Sequence, residues 1–126
     1  MKTLPEELQH IQQPQGSRLC GQACIAMIAE VSLDEACTAV GHGHSTTTKD
    51  IVQGLRRLGL SCTDRLVRVR HNQIPPYCIV KQPWFESSNW HWIVVWNEKL
   101  LDPDAAPERP PAAGRPFTSY LPIWRE

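Results

Sequence analysis

Apolar residues recur at helical spacing in the first half of this chain and at strand spacing in the second. Ala23, Ile25, Ala26, Met27 and Ile28 are mostly helix formers and are apolar nearly all round, the pattern of a buried helix starting near Leu19 or Cys20. Ser32, with Glu35 three residues later, predicts a capping box opening a second helix. Leu33, Ala36, Cys37 and Val40 follow helical periodicity there, and Gly41 supplies the stop. His42-Gly43-His44-Ser45 reads as a loop. One of Thr46 to Thr48 caps a third helix, with Ile51, Val52, Leu55 and Leu58 as its apolar stripe and Gly59 at its end.

Beyond Gly59 the spacing changes. Leu66, Val67 and Val69 suggest a short strand, Pro75-Pro76 break the chain, and Tyr77 to Lys81 make another strand. Trp90 to Trp96 is the strongest strand signal, rich in aromatic and β-branched residues. Asn97-Glu98 turns it back into Lys99 to Asp102 as a hairpin. Alternation puts Trp90, Trp92, Val94 and Trp96 on one face and His91, Ile93 and Val95 on the other. Residues 103–116 are dense in Pro and Ala and read as an irregular surface segment, and Phe117 to Trp124 returns as a last strand. Residues 1–14 read as a short helix or an extended arm. Helices first and an antiparallel sheet afterwards is the α+β order, here within one domain spanning residues 1–126, with no internal repeat.

Composition narrows the function classes. A chain of 126 residues with 41% apolar content can bury one core. Its formal net charge is zero, so no basic excess exists to neutralise nucleic-acid phosphates. Arg65, Arg68 and Arg70 fit the solvated face of a strand. No apolar run is long enough for a bilayer, and none follows Met1-Lys2 as a secretory signal would, so no membrane partner is expected. Five cysteines without scaffold spacing point to a reducing compartment, with the cytoplasm as the default expectation.

The candidate chemistry lies in three places. Cys20 stands at a predicted helix N-terminus, where the helix dipole stabilises a thiolate and free N–H groups can hold an oxyanion. Gly21 behind it lets a substrate carbonyl approach the backbone. His91 opens the strongest strand and shares a face with core residues, where an imidazole needs a partner. Asp102 ends the next strand of the same hairpin and can accept from one ring nitrogen of His91. Each residue has a plainer explanation: a buried thiol, a satisfied core histidine, a turn-starting Asp-Pro. It is their order that suits a nucleophile, its base and the group orienting the base. Asp104 is a weaker candidate for the same role as Asp102.

Cys20-Gly21-Gln22-Ala23-Cys24-Ile25-Ala26-Met27-Ile28 resembles the catalytic helix of the C39 and C39-like cysteine peptidases. These belong to the papain-like superfamily and include bacteriocin leader-processing peptidases. His91-Trp92-Ile93-Val94-Val95 and Leu101-Asp102-Pro103 resemble their histidine strand and aspartate turn, and Thr46 to Gly59 fits their middle region. The resemblance implies a papain-like fold with Cys20 as nucleophile, His91 as base and Asp102 orienting it. It also implies a glutamine upstream of the cysteine that completes the oxyanion hole. By spacing that residue falls on Pro14, with Gln13 and Gln15 on either side. Gln15 is the expected donor, because Gly16 gives the loop freedom to aim it. Leu19 replaces the Asp often found just before the cysteine.

These features imply a peptide or amide hydrolase with no cofactor and a peptide or protein substrate. A non-catalytic binding module on the same fold is one alternative. Another is a deamidase or transferase effector toxin, which would be exported without a cleaved signal and would be met by an inhibitor or immunity partner. Cys24, one turn after Cys20, is expected to pack, as are Cys37, Cys62 and Cys78. Cys20, Cys24, His42 and His44 are all zinc-ligand types, but their spacing is not that of a known finger, and no metal is expected.

Overall fold

A computed structural model describes residues 4–71, 73–83, 90–104 and 117–126. The chain is an α+β protein: three helices, α1 (Cys20–Ala29), α2 (Leu33–Val40) and α3 (Thr48–Arg57), precede the sheet and pack on it. The helix starts differ. Ser32 caps α2 by accepting from the Glu35 N–H, but the return bond from the Glu35 side chain to the Ser32 backbone is not made. The reciprocal box forms instead at α3, between Thr47 and Asp50. Gly41, at φ 103°, ends α2 as expected. Helix α1 begins at Cys20 after Leu19, which offers no side-chain cap. Gly21 to Ile28 are all buried, as the all-round apolar pattern requires. The three helices approach closely at Gly54, where a Cβ would lie 2.8 Å from Ile25 Cδ1 and 2.9 Å from Val40 Cγ2.

The strands are β1 (Ser61–Cys62), β2 (Val67–Arg68), β3 (Tyr77–Pro83), β4 (Trp90–Trp96), β5 (Lys99–Leu101) and β6 (Ser119–Trp124). All pairings are antiparallel, in the order β1-β6-β3-β4-β5, with β2 also pairing β6. The last strand therefore enters the middle of the sheet. Asn97 and Glu98, both at positive φ, close the tight hairpin between β4 and β5.

Strand β4 is buried on both faces, which explains its nearly unbroken apolar run. Trp92, Val94 and Trp96 join Ile25, Ile28 and Leu55 in the main core. Ile93 and Val95 join Cys78 and Val80 in a smaller cluster, covered by Ile74, Phe117 and Tyr120. Arg65, Arg68 and Arg70 are exposed. No helix among the described residues is long and apolar enough to cross a membrane. Trp84 and residues 105–116 of the Pro-rich segment lie outside the described residues.

Residues 4–14 form an extended arm with no helix or strand. The arm straps the β4–β5 hairpin. Trp96 Nε1 donates to the Pro5 carbonyl at 2.8 Å, and Lys99 meets Glu7 at 3.3 Å. The His10 ring donates through Nε2 to the Asp102 carbonyl at 2.7 Å. The Gln13 N–H donates to the Pro103 carbonyl, also at 2.7 Å.

Candidate active site

Helix α1 is the one helix of the three whose first turn carries neither a side-chain cap nor an acidic residue. Its leading N–H groups are not claimed by capping, and its positive end is not offset locally. Cys20 stands at that end, half-buried. The backbone there is crowded by design: a Cβ at Gly21 would fall 2.1 Å from Thr46 Oγ1. Gln22, fully buried, donates through Nε2 to the carbonyls of His42 at 3.2 Å and His44 at 2.8 Å. These contacts press the 42–46 loop against the start of α1.

The hairpin supplies the partners. Val94 pairs with Leu101, so the next residue, Asp102, projects to the face carrying Ile93 and His91, a diagonal step from His91. His91 Nε2 lies 2.6 Å from Asp102 Oδ1. The same oxygen accepts the Asp104 N–H at 2.9 Å, which fixes the carboxylate's orientation. With Nε2 committed to Asp102, Nδ1 is the ring nitrogen left for the Cys20 thiol, which also hydrogen-bonds to His91. His91 is only 4% exposed. Burial by itself would lower its pKa. The hydrogen bonds and charges of Asp102 and Cys20 outweigh burial and raise it to about 9, so the imidazolium persists at neutral pH.

Cys20 and His91 open into a cleft of about 380 Å³, lined also by Gln13, Ser17, Arg18, Thr46 and Trp90. Gln13 lines this cleft, and Gln15, the residue expected from the sequence to supply the oxyanion donor, does not. Gln15 is exposed and does not line the cleft, whereas Gln13 is buried there. The reason is the strap: the backbone bond from Gln13 to Pro103 fixes that residue beside the Asp102 turn. The Gln13 amide donates through Nε2 to the Ser17 carbonyl at 2.9 Å and, over a longer 3.4 Å, to the Ser17 hydroxyl, the weaker of the two bonds and the one a ligand in the cleft could replace.

The remaining cysteines and histidines stand apart from this chemistry. Burial, reinforced by Cys20 and Asp102, holds the Cys24 thiol well above its ordinary pKa and keeps it protonated. Burial pushes the Cys78 thiol up to about 12. His42 has both ring nitrogens occupied: Nε2 contacts Asp50 at 3.0 Å and Nδ1 accepts the His44 N–H. The two imidazoles stack with centroids 3.7 Å apart. Among the described residues, no group of three or more His, Cys, Asp or Glu side chains is placed to hold a metal.

A thiol, an imidazole and a carboxylate linked in series at an uncapped helix start can carry out nucleophilic acyl transfer. No protein-family model matches the chain, and a search of curated proteins finds no match.

Proposed function

We propose that this protein is a papain-like cysteine hydrolase of the C39-like kind that cleaves a peptide or amide bond. The observation that carries the reading is the buried His91 ring, bonded to Asp102 at 2.6 Å and to Cys20 on its other side, inside an open cleft. Cys20 as thiolate attacks the scissile carbonyl carbon. The carbonyl oxygen, now negative, takes hydrogen bonds from the Cys20 N–H and from the Gln13 amide, whose long bond to the Ser17 hydroxyl it replaces. The C–N bond breaks as His91 passes its Nδ1 proton to the leaving amine, and a thioester to Cys20 remains. Water then gives a proton back to His91 and attacks the thioester, releasing the acid and the Cys20 thiolate. Asp102 holds the ring throughout and stabilises its charge.

The test is the pH dependence of iodoacetamide labelling, read by mass spectrometry. Cys20 is expected to label selectively below pH 7 in the wild type and to lose that reactivity in His91→Ala. Labelling of Cys20 only near the pH of an ordinary thiol, unchanged by His91→Ala, would reject a catalytic role and leave a binding module.

The oxyanion assignment has its own expected result. Gln13→Ala should lower kcat about 10²-fold, the scale of a lost oxyanion donor, while Gln15→Ala leaves it unchanged. Steady-state kinetics on a cleaved peptide decides between them; the opposite ranking would return the role to Gln15.

A further inference from the structure

Trp90 behaves unlike the other described tryptophans of β4. It is 50% exposed, whereas Trp92 and Trp96 are each 2% exposed. It lines the cleft beside His91 and Cys20. Lys81, on the neighbouring strand β3, sets its ammonium 4.1 Å from the Trp90 ring centroid and 5.6 Å from that of Trp92. Lys81 does not line the cleft. Lys81 thus holds the Trp90 ring from outside the cleft, and the exposed half of the residue's surface is open to a ligand.

The proposed mechanism fixes which part of a substrate meets that surface. The leaving amine must sit against the His91 ring that protonates it. Trp90 lines the same cleft as His91, so it is placed to border the leaving-group side of the scissile bond. An indole held by a cation on one face is a rigid platform for stacking on the other. The electron density of the ring is already drawn toward Lys81. A second cation on the open face would be repelled by Lys81 through the ring, whereas a neutral aromatic side chain would not.

Resting on the proposed hydrolase reading, we infer that Trp90 is a specificity-determining residue. It stacks on a neutral aromatic side chain in the first residue after the scissile bond, and with Lys81 behind it disfavours lysine and arginine there. The substrate class is then a peptide cut on the N-terminal side of phenylalanine, tyrosine or tryptophan.

The experiment incubates the full chain with a mixture-based peptide library and reads the new N-termini by mass spectrometry. Aromatic residues are expected about three- to tenfold above alanine at the new N-terminus, the range of one aromatic pair. Lysine and arginine should not be enriched. Trp90→Ala should flatten the aromatic preference and Trp90→Phe should keep it, while Lys81→Met should let lysine and arginine rise. Because each result is a ratio within one profile, a loss of overall activity does not mask it. A wild-type profile with no aromatic excess, a basic excess, or an aromatic excess that survives in Trp90→Ala would overturn this inference alone. If no peptide in the library is cut, the hydrolase reading falls and this inference with it.

Discussion

Replacing Asp102 with alanine is expected to lower kcat about 10³- to 10⁴-fold, the scale at which triad members act. Replacing it with asparagine should cost far less. The reason lies in the bonding of a single atom. Asp102 Oδ1 accepts both from His91 Nε2 at 2.6 Å and from the Asp104 N–H at 2.9 Å. An asparagine carbonyl oxygen can accept both bonds without the charge. Under the proposed mechanism His91 starts as an imidazolium and later loses only its Nδ1 proton; the Asp104 N–H would hold the asparagine carbonyl oxygen toward Nε2, so the neutral acceptor does not force the wrong tautomer. The charge still affects pH dependence. His91 is held at about 9, with burial lowering its pKa and Asp102 and Cys20 raising it. The protonated form is present below that value and is lost as pH rises through it. The alkaline limb of kcat/KM in the wild type should therefore lie near pH 9, and in Asp102→Asn it should move to lower pH. A pH–rate profile of the three proteins measures both effects. An asparagine variant as inactive as the alanine variant, or an alkaline limb that does not move, would contradict this account of Asp102.

Gly21→Ala is expected to destabilise the fold by about 2–3 kcal/mol, as overpacking does. At an open helical position the same change would stabilise by about 1 kcal/mol, because alanine is the better helix former. The sign reverses here because the new Cβ would meet Thr46 Oγ1 at 2.1 Å and Ile51 Cδ1 at 2.7 Å. Thr46 Oγ1 is buried without a hydrogen-bond partner among the described residues, so removing it sacrifices no bond. Thr46→Ala alone should therefore cost little, and the double variant Gly21→Ala/Thr46→Ala should recover part of the loss. Urea denaturation of the four proteins gives the coupling energy directly. A Gly21→Ala protein as stable as the wild type would mean that the loop yields and does not press on α1.

Much of the fold was legible because it is encoded locally. The all-round apolar run marks α1, Gly41 ends α2, and the aromatic and β-branched run from Trp90 to Trp96 coincides with β4 to the residue. The pairing of His91 with Asp102 was also readable, since a two-residue turn fixes the hairpin register and hence which side chains share a face. The reciprocal cap went to Thr47 and Asp50 instead of Ser32 and Glu35, because both pairs have suitable spacing and only side-chain geometry separates them. Strand β1 spans two residues, too few for any period to show. The choice of Gln13 over Gln15 was beyond local reading. Both flank Pro14 with similar chemistry, and the decision is made by a carbonyl ninety residues along the chain, at Pro103.

That last contact bears on when the site comes into existence. The three helices can form from neighbouring residues, but Gln13 reaches Pro103 and His10 reaches Asp102 only after the chain's first residues return to the hairpin. Contacts of such long sequence separation close late, because their loop entropy must be met first. A chain whose arm had not yet docked would hold Cys20 at its helix end without Gln13 fixed across the cleft. Under the proposed mechanism, the docked arm is what adds Gln13 to a site whose thiol, imidazole and carboxylate are carried by α1 and the hairpin.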